Sequence, residues 1–241
     1  MHSQAVGTVA LVGSGEFLPT MAGVDRTLIA TLGGEARVAI VPTAASPDGE
    51  AVFDRWLRLG VEHFARLGCR PIPVPIHTRA DAGLARHVDA LHEANFVYLS
   101  GGKPAYLHET LRDTEAWRAI EGVYRSGGAV AGCSAGAMVL GELWLCLRRT
   151  APPSPALGLL PGIAIVPHFD EMPAFVYDAL AGIVGTLPGI TVVGIDGSTA
   201  LIGTAGRWTV GGRSGVTVFA ASGRRQYRSG DDVPLPSSLG S

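Results

Sequence analysis

Residues 129–143 read Ala129-Val130-Ala131-Gly132-Cys133-Ser134-Ala135-Gly136-Ala137-Met138-Val139-Leu140-Gly141-Glu142-Leu143, and this stretch decides the fold. An apolar strand-like run meets a helix-like run at Gly132-Cys133-Ser134-Ala135-Gly136, where only small residues flank the serine. The G-x-S-x-G spacing has a steric cause: a side chain displayed on a sharp strand-to-helix turn needs small neighbours for the turn to close. The helix that follows points its first amides at any anion formed near Ser134. A tight turn whose glycines serve packing alone would look the same, and a chain with 33 Gly offers such spacings by chance. The flanking strand and helix therefore carry the weight.

Outward from this junction, short apolar runs alternate with helical patterns. Strands are expected at residues 8–12, 37–41, 71–74, 96–99, 129–132, 163–166 and 191–195. They are continuously apolar, as strands buried on both faces are. A helix is expected over 48–67, where Phe53, Trp56, Leu57, Gly60, Phe64 and Leu67 share a stripe and Asp48 is the expected N-cap. Similar patterns cover 78–93, 114–124 and 172–187. The alternation predicts an α/β protein with a mostly parallel central sheet and helices on both faces. Residues 199–203, 207–210 and 215–220 are short runs between Gly-rich turns, expected as a small antiparallel C-terminal extension of the same sheet. Residues 229–241 are expected to be loose. With no repeat and no linker, residues 1–241 read as a single domain.

Composition removes several function classes. Of 241 residues, 47% are hydrophobic and 17% charged, which excludes a disordered chain. The 19 basic and 21 acidic residues leave a net charge of −2, with no electrostatic footprint for nucleic acid or a membrane surface. All the basic residues but one are Arg, and the one lysine is Lys103. Three cysteines, Cys69, Cys133 and Cys146, argue against a disulfide framework, and no Cys or His spacing reads as a metal site. Met1-His2-Ser3-Gln4 lacks a secretory pattern, and long uncharged runs such as 179–195 are broken by Gly and Pro below membrane-spanning length. A cytoplasmic location is expected.

In such folds the functional site lies at the carboxyl ends of the strands. Five strand ends carry small or polar residues: Gly13-Ser14-Gly15-Glu16-Phe17, Thr43-Ala44-Ala45-Ser46, Ser100-Gly101-Gly102-Lys103, the elbow itself, and Pro167-His168-Phe169-Asp170. A serine nucleophile needs a base, and His168 ends a strand where its imidazole can reach a neighbouring tip. His63, His87, His92 and His108 lie in helical patterns and are expected on solvated faces, with His77 a weaker loop candidate. Amides of Ser100-Gly101-Gly102 together with the N–H of Ala135 suit an oxyanion hole. A phosphate-cradling turn or a plain connection remains open for the glycine pair.

Taken in order, these motifs resemble the dipeptidase E/cyanophycinase family of serine peptidases, which has a class I glutamine amidotransferase-like fold. The resemblance covers residues 7–220 and rests on Leu11-Val12-Gly13-Ser14-Gly15-Glu16-Phe17, Ile40-Val41-Pro42-Thr43-Ala44-Ala45 and Tyr98-Leu99-Ser100-Gly101-Gly102. It continues through Ala131-Gly132-Cys133-Ser134-Ala135-Gly136-Ala137, Pro167-His168-Phe169-Asp170 and Gly194-Ile195-Asp196-Gly197-Ser198-Thr199-Ala200-Leu201. It implies Ser134 as nucleophile, His168 as general base and amides of Gly102 and Ala135 as the oxyanion hole. The expected substrate is a small peptide or other amide, bound near Gly101 and Lys103, with no cofactor and no metal. A second copy of the chain is the expected assembly partner.

Three departures stand beside the resemblance. The family carries an acidic third residue between serine and histidine, where this chain reads Arg149-Thr150-Ala151-Pro152, and residues 143–167 hold no Asp or Glu. Asp170 is the expected substitute, at a His-x-acid spacing, with Glu142 second. Relatives that cleave beside acidic residues are expected to use Arg after the histidine, and residues 150–206 contain neither Lys nor Arg. Lys103 stands where relatives tend to carry Asn or Asp. These gaps keep a second reading open: a catalytically silent relative that binds a small metabolite or serves as an assembly partner. Amidotransferase-like chemistry on Cys133 is disfavoured, because the centre of the elbow is Ser134.

Overall fold

In the computed structural model, which describes residues 7–145, 152–204 and 206–235, the junction lies in the middle of a seven-stranded sheet. The chain runs β1 (Thr8–Val12), α1 (Ala22–Ala30), β2 (Arg37–Val41), α2 (Glu50–Arg66), β3 (Arg70–Pro73), α3 (Ala85–Glu93), β4 (Phe96–Leu99), α4 (Pro104–Leu111), α5 (Glu115–Arg125), β5 (Ala129–Cys133) and α6 (Ala135–Leu140). It continues with β6 (Gly141–Trp144), β7 (Ser154–Pro155), β8 (Leu160–Val166), α7 (Ala174–Thr186), β9 (Thr191–Ile195), β10 (Thr199–Thr204), β11 (Arg207–Gly212), β12 (Gly215–Ala220) and β13 (Gly223–Arg228).

The result is an α/β fold with two mixed sheets. The first runs β11-β10-β1-β5-β4-β2-β3, parallel from β1 to β3 and antiparallel at β10 and β11. The second runs β13-β12-β9-β8-β6-β7, with β6, β8 and β9 parallel. The single sheet expected from sequence is thus replaced by two. Of the expected C-terminal extension, β10 and β11 lengthen the first sheet, while β12 crosses to pair with β9. Three strands, β6, the two-residue β7 and β13, were not expected from sequence, two of them for plain physical reasons. β13 reads Gly-Arg-Arg-Gln-Tyr-Arg and buries only Tyr227, because an edge strand needs no apolar run. β6 begins at Gly141, which ends α6 where the sequence pattern carries the helix on to Leu143.

Side-chain alternation sorts the first sheet into two cores. Ala10, Val12, Ile40, Tyr98 and Ala131 face α1 and α2, packed on Val24, Leu28 and Phe64. Val9, Leu11, Val41, Leu99 and Val130 face α3 to α6, in a cluster that also takes Ile163 and Ile165 of β8 and Val193 of β9. The far face of the second sheet is covered by α7 through Val176, Leu180 and Val184. Each fully buried Leu, Ile or Phe contributes about 1.5–3 kcal/mol.

Helix entries differ in one place that matters for the site. Asp48 does not cap α2: it ends a short 3-10 turn, Gly49 takes the cap position at φ 101°, and Asp48 is free to pair elsewhere. Thr114 does cap α5, its Oγ1 accepting the Trp117 N–H at 3.2 Å. Residues 229–235, expected to be loose, are tied down by Gly230 N–H to Val210 O at 2.8 Å and Val233 N–H to Trp208 O at 2.7 Å. The rest of that expected tail, 236–241, lies outside the described residues, as does Cys146. No helix of the described residues is long and apolar enough to cross a membrane.

Candidate active site

β5 delivers Cys133 fully buried, and the chain then turns sharply at Ser134, with φ 50° and ψ −110°. A non-glycine residue held there costs about 1–3 kcal/mol, a strain that concentrates at functional positions. The turn is held by Ser134 N–H donating to Val12 O on the neighbouring strand at 2.9 Å. At the end of β8, His168 adopts a left-handed conformation, φ 51° and ψ 40°, and places Nε2 3.1 Å from Ser134 Oγ. The two residues come from different sheets. Their meeting brings together the serine and the histidine picked out from sequence, and an imidazole at that distance can take the hydroxyl proton.

The acids behave differently from the expectation. Asp170 does not approach the histidine ring: its Oδ1 accepts the Gly197 N–H at 2.7 Å. Glu142 accepts the Gly162 N–H at 2.6 Å, on β6. The carboxylate that reaches His168 is Glu171, with Oε1 3.4 Å from Nδ1. The cause is the short 3-10 turn after β8, in which Glu171 N–H bonds back to His168 O at 3.1 Å. A 3-10 turn stacks residue i+3 over residue i, so the acid three places on faces the ring while the one two places on points away. At 3.4 Å, with the Glu171 side chain 69% exposed, the contact is longer and wetter than a charge-assisted bond of about 2.7–2.9 Å. Of Arg149-Thr150-Ala151-Pro152, residues 149–151 lie outside the described residues.

The glycine pair after β4 lies against the elbow. A Cβ on Gly101 would stand 3.3 Å from Ser134 Cβ and 2.9 Å from Glu16 Oε1. Gly102 has φ 143°, and a Cβ there would overlap the carbonyl of Ala44, so only glycine fits. The N–H groups of Gly102 and Ala135 donate to no acceptor among the described residues. Beneath them Glu16, buried at 7% exposure, accepts Gly101 N–H at 2.9 Å and the Cys133 thiol at 2.9 Å. Burial and the neighbouring carboxylate push the Cys133 thiol well up, so its sulfur keeps its proton. Glu16 and Glu171 are the two residues that sequence reasoning passed over. Glu16 stood in a quoted strand-end motif, and Glu171 next to the acid chosen.

Lys103 sits at the rim, its Nζ 3.3 Å from Asp48 Oδ1, with the lysine side chain 59% and the aspartate 39% exposed. The other histidines depart from expectation. Of the four that lie in helical patterns, His63, His87 and His108 are buried and His92 is exposed. His63 Nε2 makes a 2.7 Å contact with Asp25 Oδ2 between α2 and α1, and His77 stacks on Phe53 at 3.7 Å between centroids. Among the described residues, no group of three His, Cys, Asp or Glu could hold a metal ion.

Known proteins place this architecture. A crystal structure of a peptidase from an acI-B1 Actinobacterium is 33% identical, with a TM-score of 0.86 over 97% of this chain and 98% of that one. The structure of a candidate peptidase E protein from Listeria monocytogenes EGD-e aligns over 87% of this chain and 100% of its own. At 19% identity and a TM-score of 0.64, it speaks to the fold alone. A search of curated proteins finds no match. The sequence model of peptidase family S51 matches residues 9–210, spanning the elbow, the glycine pair and His168. On that match and the 33% identical peptidase structure, the chain belongs to peptidase family S51, the dipeptidase E/cyanophycinase family.

Proposed function

We propose that this chain is a serine hydrolase that cleaves a small peptide or other amide through an acyl-enzyme on Ser134. The observation that carries the reading is the 3.1 Å contact between His168 Nε2 and the hydroxyl of a serine held in strained backbone. Ser134 Oγ attacks the carbonyl carbon while His168 takes its proton, a step that contributes about 10²–10⁴-fold. The carbonyl electrons move onto oxygen, which the amides of Gly102 and Ala135 are free to receive; one such donor is worth about 10²–10³-fold. Collapse breaks the C–N bond, and the imidazolium returns its proton to the leaving amine. Water, deprotonated by the same histidine, then releases the acid and frees the serine.

Glu171 steadies the His168 tautomer from the solvent side, so the working unit is a serine–histidine pair with a peripheral carboxylate. The body carrying it is a class I glutamine amidotransferase-like fold, a reading supported by the parallel order β3-β2-β4-β5-β1. Cys133 is no nucleophile, because its thiol is buried, protonated and bonded to Glu16.

The long, exposed Glu171 contact keeps one alternative alive, a silent relative that binds a small metabolite. Labelling by a fluorophosphonate, lost in Ser134→Ala, supports the hydrolase. An unlabelled chain that also fails to hydrolyse a panel of dipeptides and dipeptide amides overturns it. A ligand found by thermal shift and unaffected by Ser134→Ala then favours the silent reading.

A further inference from the structure

Among the described residues, Glu16 is the one buried carboxylate that touches both strand ends framing Ser134, and the inference drawn from it rests on the serine-hydrolase reading. We propose that Glu16 is a positioning residue: it ties the glycine turn after β4 to the elbow after β5 and so aims the Gly102 and Ala135 amides at one point.

The argument starts from the peptide planes. Gly101 N–H is held by Glu16 Oε1 at 2.9 Å, and Lys103 N–H is held by Ala44 O at 2.7 Å. The peptide between those two anchors is fixed at both ends, and the N–H it leaves over is that of Gly102. On the other side, Glu16 Oε2 accepts the thiol of Cys133 at 2.9 Å. Cys133 precedes Ser134, and the next amide along is that of Ala135. One carboxylate therefore sets the spacing between the two donors of a single anion site. A protonated sulfur suits this task, since a thiolate could not donate.

The carboxylate is itself held rigidly. Phe17, at φ 63°, packs its ring 4.9 Å from Tyr98 and 6.2 Å from Phe64, so the residue after Glu16 is locked into the aromatic layer beneath the sheet. Burying a carboxylate is costly, and both of its oxygens bond to the strand ends beside the nucleophile. A displacement of about 1 Å at such donors is enough to cost about 10²-fold in rate.

Fluorophosphonate labelling of Ser134 in the full chain is the probe, because the phosphonyl oxygen occupies the anion site. Glu16→Ala slows labelling by about 10²–10³-fold, the cost of one lost donor. Glu16→Gln, which keeps an acceptor for Gly101 N–H, recovers all but about tenfold, and Cys133→Ala loses about threefold to tenfold. The double variant is no slower than Glu16→Ala alone, since the thiol acts only through the carboxylate. Rates are read well below each unfolding midpoint, so lost rate reports geometry, and if Glu16→Ala fails to fold, Glu16→Gln and Cys133→Ala carry the test. Folded variants that label within about threefold of the parent overturn the proposal. A parent that neither labels nor hydrolyses the panel of dipeptides and dipeptide amides overturns the hydrolase reading instead. Glu16 is then judged by amide exchange over residues 96–103: faster exchange in Glu16→Gln supports the tie, and unchanged exchange overturns it.

Discussion

Glu171 Oε1 faces His168 Nδ1 at 3.4 Å, at the ring nitrogen opposite the one that meets Ser134. A buried orienting acid, when neutralised, has cost a comparable triad about 10⁴-fold. Glu171 is exposed and its contact long, so Glu171→Gln is expected to lower kcat by only about 10–100-fold with little change in KM. Asp170→Asn, which keeps an acceptor for Gly197 N–H, is expected to stay within about threefold of the parent. Steady-state kinetics on one hydrolysable amide checks both, and a larger loss in Asp170→Asn would reverse the assignment.

That outcome bears on what the sequence could reveal. The strands at 8–12, 37–41, 96–99 and 191–195 were legible to the residue, because strands buried on both faces must be apolar throughout. The meeting of Ser134 with His168 was legible because a sharp turn needs small neighbours and a histidine ending a nearby strand can reach its tip. The acid was not, because residue spacing says nothing about whether the chain after His168 runs extended or closes a 3-10 turn. His63 was hidden for a related reason. A helical pattern marks His as a polar interruption, and only the fold brings Asp25 of α1 to its ring.

The Asp25–His63 pair is expected to contribute strongly to stability. Both side chains are nearly inaccessible, at 2% and 4%, and burial pushes the Asp25 carboxyl up despite the opposing pull of His63. Removing one partner of a buried pair typically costs about 3–5 kcal/mol. Asp25→Ala and His63→Ala should each fall in that range by urea unfolding at neutral pH. Because each leaves the other unpartnered, the double variant should cost less than the sum. Additive losses would mean that the two groups do not depend on each other.

Lys103 and Asp48 form a solvated ion pair at 3.3 Å, and such pairs contribute about 0–1 kcal/mol. Lys103→Met is expected to leave stability within that range and KM for acidic and neutral dipeptides within about threefold. The reason is that Asp48 already occupies the ammonium and water screens the remainder. A tenfold rise in KM confined to acidic substrates would return Lys103 to a substrate role.

His108 on α4 gives a pH dependence with a definite sign. Its ring is buried, its Nε2 has no partner among the described residues, and burial followed by Arg112 pulls its pKa below the usual histidine value. The unfolded chain therefore binds a proton that the folded chain resists. Stability is full above about pH 6.5 and is lost as pH falls from there toward the depressed folded value. His108→Leu lacks this loss, so its stability relative to the parent should improve between pH 7.5 and 5.5 in urea unfolding. Parallel curves across that range would remove His108 as the cause.

Two glycine substitutions separate backbone geometry at the site from backbone freedom elsewhere. Gly122 lies inside α5 with open space where a Cβ would go, so Gly122→Ala should stabilise the fold by about 0.5–1 kcal/mol and leave activity unchanged. At Gly102 the added Cβ would meet the Ala44 backbone, and φ 143° is a conformation that only glycine adopts freely. Relief requires the Gly101–Gly102 peptide to rotate, which swings the free N–H away from the carbonyl oxygen of a bound substrate. Gly102→Ala is therefore expected to lower kcat by about 10²–10³-fold with KM nearly unchanged, because the lost donor acts in the transition state. A raised KM with kcat unchanged would instead place Gly102 in ground-state binding, and full activity would exclude its amide from the reaction.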